Sequence, residues 1–292
     1  MSAGRVAPAV RRACAAVLVS ALTATAAGCG GAPETFIQPE GPTIAIGVAA
    51  DEPGLARWHD GTYAGFEVEI ARYVAKKLGY ANKQIVFKQV MPSNRLDLLD
   101  DGTVDMVVAG MPMPDDADAD SSADGGAGTD GTSDDGSDAV AYAGPYLTVS
   151  QGLLVRPDDA GTITDVAALA GRDVCVVAGS GESLLAEQPK ANTRERDTYP
   201  QCVTDLMVGT ADAIAGDDVV LAGLARSQGA GLSRPVSGVA YGGTRYGVAL
   251  PAGADTLAQN VEAALKDMRE DGSYAAALRT LRADTGWRPG RT

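Results

Sequence analysis

The sequence predicts an α/β protein of two similar lobes. Three observations carry that prediction. From Thr43 onward, short apolar runs alternate with amphipathic helical stretches, the pattern of a mainly parallel sheet covered by helices. The same order returns from Asp173. Each half also holds a Gly-Thr-x-Asp join between a helix and an apolar strand: Gly102-Thr103-Val104-Asp105 and Gly209-Thr210-Ala211-Asp212.

In the first half, Ile44 to Val48 reads as a buried strand. Glu67 to Leu78 sets Ile70, Val74 and Leu78 on one helical face, with Gly79 as the stop. Ile85 to Val90 reads as a second strand, Arg95 to Asp101 as a short helix and Val104 to Ala109 as a third strand. In the second half, Asp173 to Val177 is a strand, a helix opens at Glu182, and a helix from Gln201 to Val208 precedes a strand from Ala211 to Ala215. The last helix, Thr256 to Asp271, aligns Leu257, Val261, Leu265 and Met268.

The amino terminus speaks for export. Arg5, Arg11 and Arg12 precede an apolar run from Ala13 to Leu22, too short to span a bilayer, and small residues lead to Ala26-Ala27-Gly28-Cys29. Residues 1–28 read as a signal peptide and 29–42 as a tether. Without the first 28 residues, which hold three Arg and no acid, 21 basic and 38 acidic residues remain, a net charge of −17. So acidic a surface repels nucleic acid, whose binding depends on neutralising phosphates. Of four Cys, Cys14 lies in the signal and Cys29 directly follows it; Cys175 and Cys202 remain, and an exported pair is expected as a disulfide. A zinc site would need more ligands than the single His59 supplies.

Residues 114–138 hold nine Asp among Gly, Ser, Ala and Thr, with no large apolar side chain; a disordered acidic insert is expected. Asp116, Asp118 and Asp120 imitate the start of a calcium loop, but Ser121 and Ala127 stand where Gly and Glu belong, so no metal is expected. Catalytic signatures are missing too. Gly179-Ser180-Gly181 follows a strand and opens a helix, the setting for anion binding by backbone N–H groups. Yet no Gly-Lys-Ser/Thr follows it, and Leu184 stands where a dinucleotide fingerprint needs its third Gly. A binding protein without cofactor is expected rather than an enzyme.

Gly65-Phe66-Glu67-Val68-Glu69-Ile70, followed by Ala71 to Leu78, resembles the signature of family 3 bacterial extracellular solute-binding proteins. Gly144-Pro145-Tyr146, Gln151-Gly152-Leu153-Leu154, Ala178-Gly179-Ser180, Asp217 and Arg245-Tyr246-Gly247-Val248 extend the resemblance, and Cys29 is similar to a lipobox cysteine. Pro53-Gly54-Leu55, the Cys pair and Asp217-Asp218 look closest to the glutamate-binding lipoprotein branch. The resemblance implies a type II periplasmic-binding-protein-like fold with a hinged interlobe cleft. Lobe one would comprise 43–147 and 247–292, and lobe two 152–242. It implies a monomer, lipid-anchored through Cys29 outside the cytoplasmic membrane, that hands a polar amino acid to ABC permease subunits. Glutamate, aspartate or their amides are the expected ligands. Asp217 would meet the ligand's ammonium group, Ser180 and the Gly181 amide its α-carboxylate, and Arg95 a side-chain carboxylate, with Phe66 lining the cleft. The chain departs from the family at Pro112-Met113-Pro114 and Ala117, where a Thr and an Arg usually clamp the α-carboxylate. A degenerate receptor acting as a sensor or interaction module is the alternative.

Overall fold

The computed structural model describes residues 39, 41–114, 140–180, 188–229 and 231–289. The signal peptide, Cys29, nearly all of the acidic insert, Ala117, Gly181 and the helix expected from Glu182 lie outside the described residues.

Strand β1 (Ile44–Val48) coincides with the apolar run read from sequence. The chain then forms a small three-stranded sheet, β2 (Asp51–Glu52), β3 (Ala56–His59) and β4 (Thr62–Ala64), before helix α1 (Phe66–Lys77). Two features favour α1. Glu67 and Glu69 sit in its first turn and Lys76 and Lys77 in its last, matching the helix dipole, while Val68, Ile70 and Val74 are buried. Next come β5 (Ile85–Gln89), the short helix α2 (Arg95–Asp100) and β6 (Met106–Pro112). Beyond the insert, β7 (Val140–Val155) runs for 16 residues. The second set is β8 (Asp173–Val177), β9 (Asn192–Arg196), α3 (Tyr199–Val208), β10 (Ala213–Asp217), α4 (Asp218–Ser227) and the two-residue β11 (Arg234–Pro235). The chain ends with β12 (Tyr241–Pro251), α5 (Asp255–Glu270) and α6 (Ser273–Thr285).

Nine strands form one sheet in the order β5-β1-β6-β12-β7-β10-β8-β9, with β11 on β7. The flanking trios β5-β1-β6 and β10-β8-β9 are parallel inside, as the alternating strands and helices demand. The two long central strands, β7 and β12, are antiparallel to each other and to the inner edge of each trio. The expectation of a mainly parallel sheet is thus corrected to a mixed one. The stretches left between the expected lobes, 148–151 and 243–246, fall inside β7 and β12. Strands β6 and β10 also run past their expected ends, to Pro112 and Asp217, because the long central strands extend the pairing.

We call the trios with their helices the first and second arms. In the first, β1 is buried along its length, and α1, α5 and α6 pack on one another beneath it. In the second, α3 and α4 cover one face, and that face joins the same apolar core. Its opposite face builds a separate cluster of nine buried residues, including Leu153, Val155, Val174, Val176, Ala213 and Ala215. The period-two alternation of these strands puts successive residues in different cores. Cys175 on β8 is bonded to Cys202 on α3, as expected of an exported pair. Arg156 Nη1 donates to the carbonyls of Leu206 (2.7 Å) and Ala211 (2.6 Å), tying the end of α3 to β7.

The arms also meet directly. Gly223 of α4 lies so close to Pro53 that any Cβ would collide with the Pro53 carbonyl oxygen. At Gly179, in left-handed backbone at φ 75°, a Cβ would lie 3.3 Å from the Pro92 side chain.

Candidate functional site

A cavity of about 310 Å³ opens between the arms. Its lining comes largely from residues at or just past the carboxyl ends of parallel strands, where open α/β sheets take ligands. Glu52 follows β1, Pro92 follows β5, Ala109 to Pro112 end β6, Gly179 and Ser180 follow β8, and Asp217 ends β10. Gln151, Thr244 and Tyr246 come from the central strands, Tyr199 and Arg95 from the first residues of α3 and α2.

Arg95 is set by the turn before it. The Asn94 carboxamide oxygen accepts from the Met91 N–H at 2.8 Å, and the Arg95 N–H donates to the Met91 carbonyl at 3.0 Å. The buried guanidinium donates Nη1 to the carbonyls of Ala109 (2.8 Å) and Gly110 (3.3 Å). That anchoring fixes its plane at the cavity wall.

Asp217 sits where β10 hands over to α4. Its Oδ2 accepts a short hydrogen bond from the Tyr246 hydroxyl, while Oδ1 is buried without a partner. Burial pushes its pKa up to about 6, against the opposing pull of Tyr246. Ser180 lies within the turn after β8: its hydroxyl donates to the Val177 carbonyl at 3.0 Å and lies 3.4 Å from the Tyr199 hydroxyl. The Tyr199 N–H donates to Asp51 Oδ2 at 3.2 Å, a second bond between the arms.

Arg95, Ser180 and Asp217 are therefore brought together at one cavity. Phe66 is not. It is 2% exposed and packs against Tyr274 (5.7 Å between ring centroids, edge-on) and Tyr146 (6.4 Å), so the expected cleft aromatic is a core residue. Residue 66 begins α1, and its ring turns into the helical layer.

Residues 44–118 match the family model of bacterial extracellular solute-binding proteins, family 3. Over that stretch the chain is similar to this family. The ABC transporter glutamine-binding protein GlnH of Bacillus subtilis (strain 168) is 28% identical over 236 residues, 79% of this chain and 78% of that protein. The glutamate-binding protein GluB of Corynebacterium efficiens is 28% identical over 275 residues, 90% and 87% of the two chains. In fold, the chain superposes on the solute receptor for L-cysteine of Neisseria gonorrhoeae with a TM-score of 0.70 at 24% identity, covering 84% of this chain and 92% of that one. Among the described residues, no helix is long and apolar enough to cross a membrane, and no three acidic, His or Cys side chains are grouped to hold a metal.

Sequence reasoning missed several groups that line or back this cavity. Glu52 is 7% exposed, lines the cavity and has Oε2 buried without a partner. Burial, then the nearby Glu67, Asp51 and Asp217 carboxylates, push its pKa well above the ordinary range, against the pull of Arg95. Glu67 lies just behind the cavity wall, fully buried. Its Oε1 accepts from the Tyr146 hydroxyl (2.6 Å) and the Gly110 N–H (2.8 Å), and burial carries its pKa to about 7. Tyr199 was not singled out, and Gln151 and Tyr246 were named only as members of motifs, because their strands and helices gave no hint of which tips converge.

Proposed function

We propose that this protein is the ligand-capturing receptor of an amino-acid ABC importer. A lipid on Cys29 would hold it to the outer face of the cytoplasmic membrane, and it would work there as a monomer with permease subunits. The observation that carries the reading is the buried, unpartnered Oδ1 of Asp217 at the mouth of a cavity shared with Arg95 and Ser180. A buried carboxylate oxygen without a donor is costly, and a ligand ammonium group satisfies it. Arg95 supplies the charge opposite for an α-carboxylate, in place of the Thr and Arg that Pro114 and Ala117 replace. Relatives named for glutamine and glutamate support a polar amino acid. The stretches between the expected lobes fall within β7 and β12, and the cavity lies between the arms, which supports this reading.

Titration calorimetry of residues 30–292 against the twenty amino acids tests it. Saturable binding of at least one amino acid is expected, weakened about 100-fold or more by Asp217→Ala or Arg95→Ala. Silence across the panel would sink the receptor reading. The altered clamp at Pro112 to Ala117 would then favour a sensor or interaction module reporting to a membrane signalling partner.

A further inference from the structure

Resting on the receptor reading, we infer that the ligand carries two positively charged nitrogen groups, one received by Asp217 and the other by Glu52. Both residues line the same cavity, and each presents a carboxylate oxygen that is buried and has no hydrogen-bond donor. Glu52 is the more telling of the two, because it is more than nine-tenths buried and its Oε2 has nothing else to meet. A protein tolerates such an oxygen where a charged donor arrives from outside.

The charge balance of the site points the same way. Among the described residues lining the cavity, Arg95 is the single cation, and one of its nitrogens is held by the Ala109 and Gly110 carbonyls. Glu52 also faces Glu67 from α1, Asp51 from β2 and Asp217 from β10, with the hydroxyls of Tyr146, Tyr199 and Tyr246 nearby. An acidic side chain would add a further negative charge to this group with one guanidinium to answer it. A second cationic group instead neutralises Glu52 and fills its bonding capacity. The geometry thus turns the sequence's expectation of glutamate, aspartate or an amide toward a basic ligand. Glu52 becomes the residue that sets specificity.

The chemistry has two sources, a basic amino acid or a diamine, and the test separates them. Affinities of the mature protein for arginine, lysine, ornithine, putrescine and cadaverine are compared with those for glutamate, glutamine and aspartate. The cationic set is expected to bind about 30-fold or more tightly than the acidic and amide set, and Glu52→Gln to erase most of that preference. Preference for the amino acids within the cationic set supports the amino-acid reading as well; preference for the diamines keeps the inference and removes that part of the function. Tightest binding by glutamate or glutamine, or an unchanged preference in Glu52→Gln, overturns the inference and leaves the receptor standing. Silence from every compound overturns both. A measurement on the unmutated protein guards against misfolding: calorimetry in two buffers of different ionisation enthalpy should show protons released on binding, with affinity rising from pH 5.5 to 8. Proton uptake, or affinity falling over that range, overturns the inference.

Discussion

The two arms of the sheet carry the same local order of strands and helices, yet different forces hold them. The first arm packs Ile44, Ile46 and Val48 of its central strand into a continuous core with α1, α5 and α6. The second is thinner. One face of β8 lies on α3 and α4, the other on a nine-residue cluster, and its edge strand β9 is polar and partly exposed. Beyond this packing it is held by the Cys175–Cys202 bond and by charged contacts. Arg156 spans Leu206, Ala211 and Asp159, and Arg196 pairs with Asp205 at 2.7 Å, holding that carboxyl below its usual range. Two copies of one topological plan can thus be stabilised by packing in one case and by packing reinforced with covalent and polar ties in the other. Dispersion and burial act along a whole surface, whereas a staple or an arginine fork acts at a point.

The largest effect should come from the packed arm. Ile46→Ala, at a fully buried site paired with Phe87 and Met106, is expected to cost about 4 kcal/mol of unfolding free energy by denaturant titration. A loss below about 1 kcal/mol would mean the first arm is not held by its core. Removing the staple comes next. Cys175→Ala with Cys202→Ala should cost about 3 kcal/mol, and hydrogen exchange should quicken in β8, β9 and α3 well before β1 and β6. Equal quickening in both arms would break the comparison and make the molecule one cooperative unit.

The smallest effect sharpens the comparison at the seam between the arms. The pKa values of Glu67 and Asp217 are raised by burial to about 7 and about 6, so the folded protein binds protons that the unfolded chain has released. Their stabilising contribution is full below about pH 4, the ordinary carboxylate range, and is lost as pH rises through 6 and 7. Without ligand, the melting temperature should therefore fall between pH 4.5 and 7.5. Glu67→Gln should flatten that fall, by about 2 kcal/mol across the range. A wild-type melt that rises over the same range would contradict this account.

Much of the scaffold was legible because its signals are periodic. Ile44–Val48 and Asp173–Val177 are short apolar runs between breakers, and α1 shows its buried stripe at helical spacing. The two cysteines announced their bond through their export context. The small sheet of β2 to β4 was missed because its residues are polar, glycine-rich and largely exposed, so no alternation marks them. Helix α6 was missed as well: its buried residues are few, and its Ala and Arg content reads as solvent-facing. At the site, Arg95, Ser180 and Asp217 were found through their neighbours in the family motif. Glu52 precedes Pro53-Gly54 and Glu67 stands in the first turn of α1, and neither position marks a buried acid. Burial of an acid comes from distant elements closing over it, and a local pattern does not record that. Phe66 was misplaced for the same reason.

The path of the chain through the central strands has a consequence for synthesis. The second arm is nearly contiguous, from the end of β7 to the start of β12, so its partners emerge from the ribosome together. The first arm begins at residue 44 but lacks its inner neighbour β12 and its covering helices α5 and α6 until residues 241–285 have been made. Contacts between α1 and these late helices span some 190 residues, as in the Lys77–Asp267 pair. Such long-range closure is slow, and it leaves a β5-β1-β6 edge uncovered in the meantime. The first arm can therefore close only after residues 241–285 have been made, whereas the second can pair its strands earlier.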